Sequence, residues 1–387
     1  MKKLSQKQKK HSKSRSLDRE IRRLIWKQWK KTRRPKAGLK TAMVNRAGKR
    51  FRTRYFKALP LPKIFCLDEN TDETIASINT LRNNVLTKAK LTKENPANSE
   101  TGKLKVSEYF DLKTIKQIGP SAALILASIF QRAKFISGKR LTTIDEHKWN
   151  PNVTWVLRAL GFHELLEMQP LSKGPSYTGS VNIQPFVSGQ RADGSELARL
   201  QDALALLLPS ELRDKLFTAE PYGGMLEAIL NSYQWAYPEG HEWDYPVMKN
   251  WWLTGAVDTE TNQVIVCVYD QGISIPASLP HWTHWNSVEI RVKRLMERLK
   301  LSGPIEHYSN DGLAIRLAMT IAKTATKLPQ HGKGLHTMVE VAERAKYGRL
   351  RIVSRNGEYI WETGKRPRTL THEFPLQGTL VEWQLEL

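Results

Sequence analysis

Val264-Ile265-Val266-Cys267-Val268-Tyr269-Asp270-Gln271-Gly272-Ile273-Ser274-Ile275-Pro276 is an apolar run that stops on an acid and a glycine turn. Its continuous β-branched and aromatic content predicts a buried strand over 264–269. Asp270 falls at the strand end, where a carboxylate can accept a hydrogen bond from an exocyclic amine. Gly272 has no Cβ, so the backbone there can approach a flat ligand closely. Ile273, Ile275 and Pro276 would supply an apolar wall beside it.

Upstream, Met225-Leu226-Glu227-Ala228-Ile229-Leu230-Asn231 reads as helix. The i, i+4 spacing places Glu227 and Asn231 on one face, a turn apart. A carboxylate there can take a proton from a water or a hydroxyl, and an amide oxygen can hold Mg²⁺ without adding charge. Downstream, His331-Gly332-Lys333-Gly334-Leu335 precedes a helix predicted over 336–347. Glycine N–H groups at a helix start form an anion site, and Lys333 adds charge to it. Residues 349–354 and 357–361 read as a hairpin turning at Asn356-Gly357. Gly378-Thr379-Leu380-Val381 closes the series as a further strand. Between Asp270 and Gly332 lie Trp282, His284, Trp285, a charged helix over 288–299 and an apolar helix over 310–323.

Taken in order, these pieces resemble the N box and the glycine boxes of the histidine-kinase-like, or GHKL, ATPases, and among them the anti-sigma-factor kinases. The resemblance covers about residues 195–387. It implies the fold class α/β, a two-layer α/β sandwich of Bergerat type that binds ATP with Mg²⁺. Under it Glu227 is the general base and Asn231 the metal ligand. Asp270 and Gly272 read adenine. Gly332, Lys333, Gly334 and Leu335 cradle the phosphates, and Thr379 stands near a phosphate or the adenine edge. The interval after Asp270 becomes a lid over the nucleotide. Three positions depart from the family: Trp235 replaces a histidine, and Ser274 and His336 replace glycines. Rival motifs are weaker. A Gly-x4-Gly-Lys-Ser/Thr loop is absent from the sequence, and the stretch from His241 to Pro246 reads as loop rather than a phosphoacceptor helix.

The rest of the chain divides by charge. Of 61 Lys and Arg, 23 fall in residues 1–60 beside only Asp18 and Glu20, a net +21 that leaves +2 for the other 327 residues. Residues 1–60 therefore read as a basic arm, partly helical, with Leu17, Ile21, Leu24 and Ile25 at helical spacing up to Pro35. Arg22, Arg23, Lys27, Lys30, Arg33 and Arg34 are its candidate phosphate contacts, and the interleaved aromatics can stack on bases. Nucleic acid ranks ahead of an acidic protein or an anionic membrane surface as its partner.

Residues 61–170 alternate strands and helices: a strand at 61–67, a helix at 73–85, a polar loop at 88–104, a strand into Asp111, an apolar helix at 122–135 and a helix at 150–160. This pattern resembles a STAS domain, with Ser121 at the position of the phosphoacceptor. Gly119-Pro120-Ser121-Ala122 departs from the usual motif, so Ser121 reads rather as the helix cap. Residues 171–194 read as a linker and entry strand. Two distant cysteines, Cys66 and Cys267, and the lack of a signal or a membrane span point to a soluble protein of a reducing cytoplasm. The expected activity is a slow ATPase switch, with protein partners at the STAS-like unit or the lid. The alternatives are a protein-serine kinase of anti-sigma type and a nucleotide-gated module without turnover.

Overall fold

The computed structural model describes residues 40–46, 49–94, 106–139, 143–168, 177–192, 194–216, 219–281, 297, 307–325 and 334–387. In chain order the main elements are β1 (Lys40–Arg46), β2 (Lys49–Pro60), β3 (Ile64–Phe65), α1 (Thr71–Glu94), β4 (Val106–Asp111), β5 (Gln117–Ile118), α2 (Pro120–Ser137), β6 (Thr143–Ile144), α3 (Pro151–Ala159) and α4 (Phe162–Leu165). There follow β7 (Val181–Ile183), β8 (Val187–Gly189), α5 (Ser195–Ala205), α6 (Ser210–Leu216), α7 (Ala219–Trp235), β9 (Trp251–Asp258), β10 (Gln263–Asp270), α8 (Ile275–Ser278), α9 (Asp311–Ala325), α10 (Gly334–Glu343), β11 (Tyr347–Glu362) and β12 (Arg368–Glu386).

The main sheet is antiparallel, in the order β11-β12-β10-β9-β7, with β8 also pairing β9. β10 is its middle strand, and period-2 alternation sends its side chains two ways. Val264, Val266 and Val268 enter one core with Leu204 of α5, Ile229 of α7, Ile315 of α9 and Met338 of α10. Ile265, Cys267 and Tyr269 enter a second core with Ile78 of α1, Ile125 of α2 and Leu157 of α3. The α/β class therefore holds, but the sheet carries helices on both faces, three layers where the sequence reading expected two. The unbroken apolar run of β10 is what a strand covered on both faces requires.

The proposed boundaries are crossed by hydrogen bonds. β2, which ends at residue 60, pairs in parallel with β4 from Tyr55↔Val106 to Pro60↔Asp111. Thus the stretch 40–60 of the basic arm is a β-hairpin inside a four-stranded sheet, β4-β2-β1-β6. The predicted helix of the arm, at 17–25, lies outside the described residues. β7 and β8, within the stretch expected as linker and entry strand, join the main sheet.

Four local expectations are corrected. The strand at 61–67 shrinks to Ile64–Phe65, which pairs β5. α1 continues to Glu94 because Leu86 and Ala89 prolong its buried stripe past residue 85. The α2 cap is Gly119, not Ser121: Pro120 occupies the first helical turn, where its missing N–H costs nothing, and Ser121 is buried in the helix. Finally, Asn356-Gly357 is no hairpin turn. β11 runs straight through it with register shifts beside Arg355, and the chain reverses after Glu362, with Gly364 in the left-handed region. Tertiary contact explains the change. The Asp311 carboxylate accepts from Arg355 Nε at 2.9 Å and from the Asn356 N–H at 3.0 Å, and a Cβ at Gly357 would collide with the Asp311 backbone.

Polar contacts also join the third layer to the sheet. Arg132 of α2 donates to the carbonyls of Tyr245 and Pro246 and to Gln271 Oε1, at 2.8–2.9 Å. His372 of β12 stands between Asp72, at 3.1 Å, and Glu358, at 2.6 Å. Glu358 also pairs with Arg351. Burial raises the Glu358 pKa, yet the His372 hydrogen bond and the Arg351 charge pull it down to about 2.

This packing makes a prediction. A fragment beginning at residue 171 would uncover Trp252, Ile265, Cys267, Tyr269, Val353 and Leu380 on the sheet face. At roughly 1.5–3 kcal/mol per large apolar side chain, the loss exceeds what one domain can spare. The fragment should aggregate or expose a molten sheet, whereas residues 40–387 unfold in one step in urea. A monodisperse fragment with cooperative unfolding would contradict the three-layer core.

Candidate functional site

A cavity of about 40 Å³, partly open to solvent, lies between α7, the end of β10, the turn after it, α10 and β12. α7 contributes Asn231, Ser232 and Trp235. β10 contributes Val268 and Asp270, and the turn contributes Ser274, Ile275 and Ser278. Leu335 and Met338 come from α10, Thr379 and Val381 from β12. The walls are mostly apolar with a few polar groups, a lining of the kind that small-molecule sites have, around a space that holds little more than water.

Asp270 is the most perturbed of the polar groups. Only 4% of it is exposed. Its Oδ1 accepts the Gly272 N–H at 2.8 Å, and Ser232 Oγ lies 3.2 Å from its Oδ2. Burial pushes its carboxyl up to about 6, against those two hydrogen bonds and a backbone bond to Thr379. The turn that follows is held from several sides. Gln271 N–H donates to the Tyr237 hydroxyl at 3.0 Å. Its side-chain oxygen accepts from Arg132 and its Nε2 donates to Ser128, each at 2.9 Å. Burial lowers the Arg132 pKa to about 10, which leaves it a cation at neutral pH. Thus α2, behind the sheet, fixes the turn that faces the cavity in front.

Gly272 is not on the cavity wall. A Cβ there would strike the Ala236 carbonyl, to which the next N–H, of Ile273, donates at 2.9 Å. The glycine is needed for close approach to the end of α7 rather than to a ligand. Gly378 does the same for the opposite strand: with φ +86°, any Cβ would collide with the Asp270 carbonyl. Beside it, Thr379 Oγ1 and Ser354 Oγ are 2.8 Å apart, and Ser354 Oγ accepts the Ile275 N–H at 2.9 Å.

Asn231 lines the cavity and Glu227 does not. The Asn231 Nδ2 donates to the Glu227 carbonyl at 2.9 Å, which fixes the amide and leaves its oxygen for a ligand. The Glu227 carboxyl is half-buried, and burial raises its pKa. Gly334 opens α10, and Leu335 in its first turn reaches the cavity. The N-terminal end of α10, the positive end of its dipole, is therefore close to the cavity. Gly332 and Lys333 lie outside the described residues. So do Arg22, Arg23, Lys27, Lys30, Arg33 and Arg34, and, apart from Glu297, the predicted helix at 288–299.

The sequence reading thus named five of the lining residues: Asn231, Asp270, Ile275, Leu335 and Thr379. It gave no role to Ser232, Trp235 or Ser278, nor to Ser354 behind the wall. Ser232 and Trp235 carried a usable signal, since they sit one and four positions after Asn231 on the same helix. Ser354 carried none, because its place behind the turn depends on strand pairing. Among the described residues no group of three or more His, Cys, Asp and Glu could hold a metal. A Mg²⁺ at Asn231 would then draw its other ligands from phosphate and water, the habit of that ion.

No protein-family model, curated protein or solved structure matches this chain. Among the described residues no helix is long and apolar enough to cross a membrane.

The raised Asp270 pKa has a measurable consequence. Protonation favours the folded state between the ordinary carboxylate value and about 6, so the stabilisation is complete below about pH 4 and is lost as pH rises through 6. Asp270→Asn should therefore be more stable than the parent at pH 8, by on the order of 3 kcal/mol. The difference should shrink toward zero by pH 4 in urea titrations. A difference independent of pH would contradict a buried, ionised Asp270.

Proposed function

We propose that the chain binds ATP with Mg²⁺ in this cavity, in the manner of the GHKL ATPases that it resembles, and works as a slow nucleotide switch. The observation that carries this reading is convergence. Asn231, Asp270, Leu335 and Thr379 come from four separated segments, and each was selected from the sequence for a nucleotide role. All four line one cavity.

The lining side chains suit the ligand in kind, and the walls must part to admit it. Val268, Ile275, Met338 and Val381 offer flat apolar contact to a base. The Asp270 carboxylate accepts from the adenine amino group, and a buried charge strengthens that bond. Asn231 offers a neutral oxygen to Mg²⁺, which when bound neutralises phosphate charge. The start of α10 offers N–H groups to phosphate oxygens. Glu227, one turn before Asn231, orients a water and takes its proton. Its burial-raised pKa brings it nearer to neutrality, where a general base is most effective. In such a site phosphoryl transfer depends on positioning and charge neutralisation more than on covalent chemistry.

A second reading is a nucleotide-gated module without turnover. It is favoured by one observation: Glu227 stands off the cavity wall. In either reading the basic residues 1–60 couple the nucleotide state to nucleic acid or to a protein partner, on the strength of their +21 charge.

Calorimetric titration of the full chain with ATP and Mg²⁺ tests the proposal, with phosphate release followed in parallel. Saturable binding is expected. Asp270→Ala should weaken it by at least tenfold, through one lost charge-assisted hydrogen bond. Glu227→Gln should bind normally and lose most phosphate release. Normal binding by Asp270→Ala would overturn the assignment of the site. Full turnover by Glu227→Gln would overturn the base, and absence of turnover in the parent would select the non-hydrolysing reading.

A further inference from the structure

Ser274 combines three features that ordinary packing does not explain. It lines the cavity beside Asp270. Its backbone, at φ +86° and ψ 158°, lies in a region that only glycine usually occupies. Its residue is 5% exposed, and its Oγ is fully buried without a hydrogen-bond partner among the described residues. A serine that capped the short helix α8 would place its hydroxyl on a backbone N–H, and no such bond is made. The Ile275 N–H is already taken by Ser354 Oγ, at 2.9 Å. The site therefore bears the strain of a Cβ and the desolvation of a hydroxyl, and among the described residues no hydrogen bond to that hydroxyl offsets either. The neighbouring hydroxyls are satisfied: Ser232 reaches Asp270 and the Ala228 carbonyl, Ser278 donates to the Ile275 carbonyl, and Thr379 meets Ser354.

A buried polar atom without a partner is expensive unless a ligand pairs with it. We infer that the Ser274 hydroxyl is a base-reading group of the cavity, donating a hydrogen bond to a purine ring nitrogen that flanks the amine accepted by Asp270. The inference rests on the nucleotide reading above and deepens it. A carboxylate accepts where adenine has its amine. A hydroxyl one short turn away supplies the donor that N1 or N7, on either side of that amine, requires. Guanine, with a carbonyl in place of the amine, would set an acceptor against the Asp270 carboxylate. The pair thus selects adenine by complementarity on one side and repulsion on the other. Ser274 is a specificity-determining residue in this account and takes no part in bond breaking.

The test compares ATP, 1-deaza-ATP and 7-deaza-ATP on the parent chain and on Ser274→Ala and Ser274→Gly, with calorimetric affinities and melting temperatures. The parent should bind one deaza analogue about fivefold to tenfold more weakly than ATP, the effect of one neutral hydrogen bond. Both variants should bind ATP weakly to the same degree and lose the discrimination between ATP and that analogue. Ser274→Gly should also melt a few degrees higher than the parent, because the backbone strain is relieved. That gain in stability with a loss of affinity is what a purely structural serine would not give. Identical discrimination in parent and variants would overturn the role of Ser274 and leave the nucleotide site standing. Failure of the parent to bind ATP at all would overturn both.

Discussion

The Asp270 carboxylate sits at the end of a strand that is itself buried on both faces, and most of the fold serves to hold it there. An ionised acid in such a place is costly to desolvate. The Gly272 N–H, Ser232 and the backbone of Thr379 offset part of that cost, yet burial still raises its pKa to about 6. Each donor comes from a different piece of chain. The first belongs to the turn, the second to α7 and the third to β12. The acid can be kept only if helix, strand and turn are all fixed, which makes it a gauge of the whole front layer.

The fixing comes largely from behind. α2 crosses the rear of the sheet and reaches the turn through Arg132 and Ser128, both bonded to the Gln271 side chain. The Arg351–Glu358–His372 cluster does the equivalent work farther along the sheet, where Asp72 and Thr71 at the start of α1 meet β11 and β12. A breach of a buried charged cluster is far more destructive than its net contribution indicates, since the remaining charge is left unpaired. The rear layer is therefore a structural part of the candidate site. Movement of α2 and a change at the Asp270 turn are mechanically linked through two side chains.

Much of the front layer was legible in the sequence, because local periodicity and local spacing specify it. Helix α7 shows Glu227 and Asn231 one turn apart, and β10 shows an apolar run closing on an acid. Val264 to Tyr269 has no polar residue to offer solvent, a sign of burial on both faces that the expectation of two layers left unused. What could not be read depends on pairing between distant segments. Asn356-Gly357 has the strongest short-range hairpin signal, and the Asp311 carboxylate overrides it by holding Arg355 and Asn356 in a bulge within β11. Gly272 was assigned to ligand approach, whereas the collision that demands it is with the Ala236 carbonyl, thirty-six positions upstream. Ser121 looked like a cap until Pro120 moved the helix start back to Gly119. In each case a generic local rule was outweighed by one specific contact.

The central claim is that the Asp270 cavity is an adenine-nucleotide site served by Asn231 and the start of α10. A crystal structure of the full chain with a non-hydrolysable ATP analogue and Mg²⁺ tests it most directly. The predicted result is an adenine amino group within hydrogen-bonding distance of the Asp270 carboxylate and Asn231 Oδ1 bonded to the metal. A nucleotide bound elsewhere, or an empty cavity at saturating analogue, would contradict it.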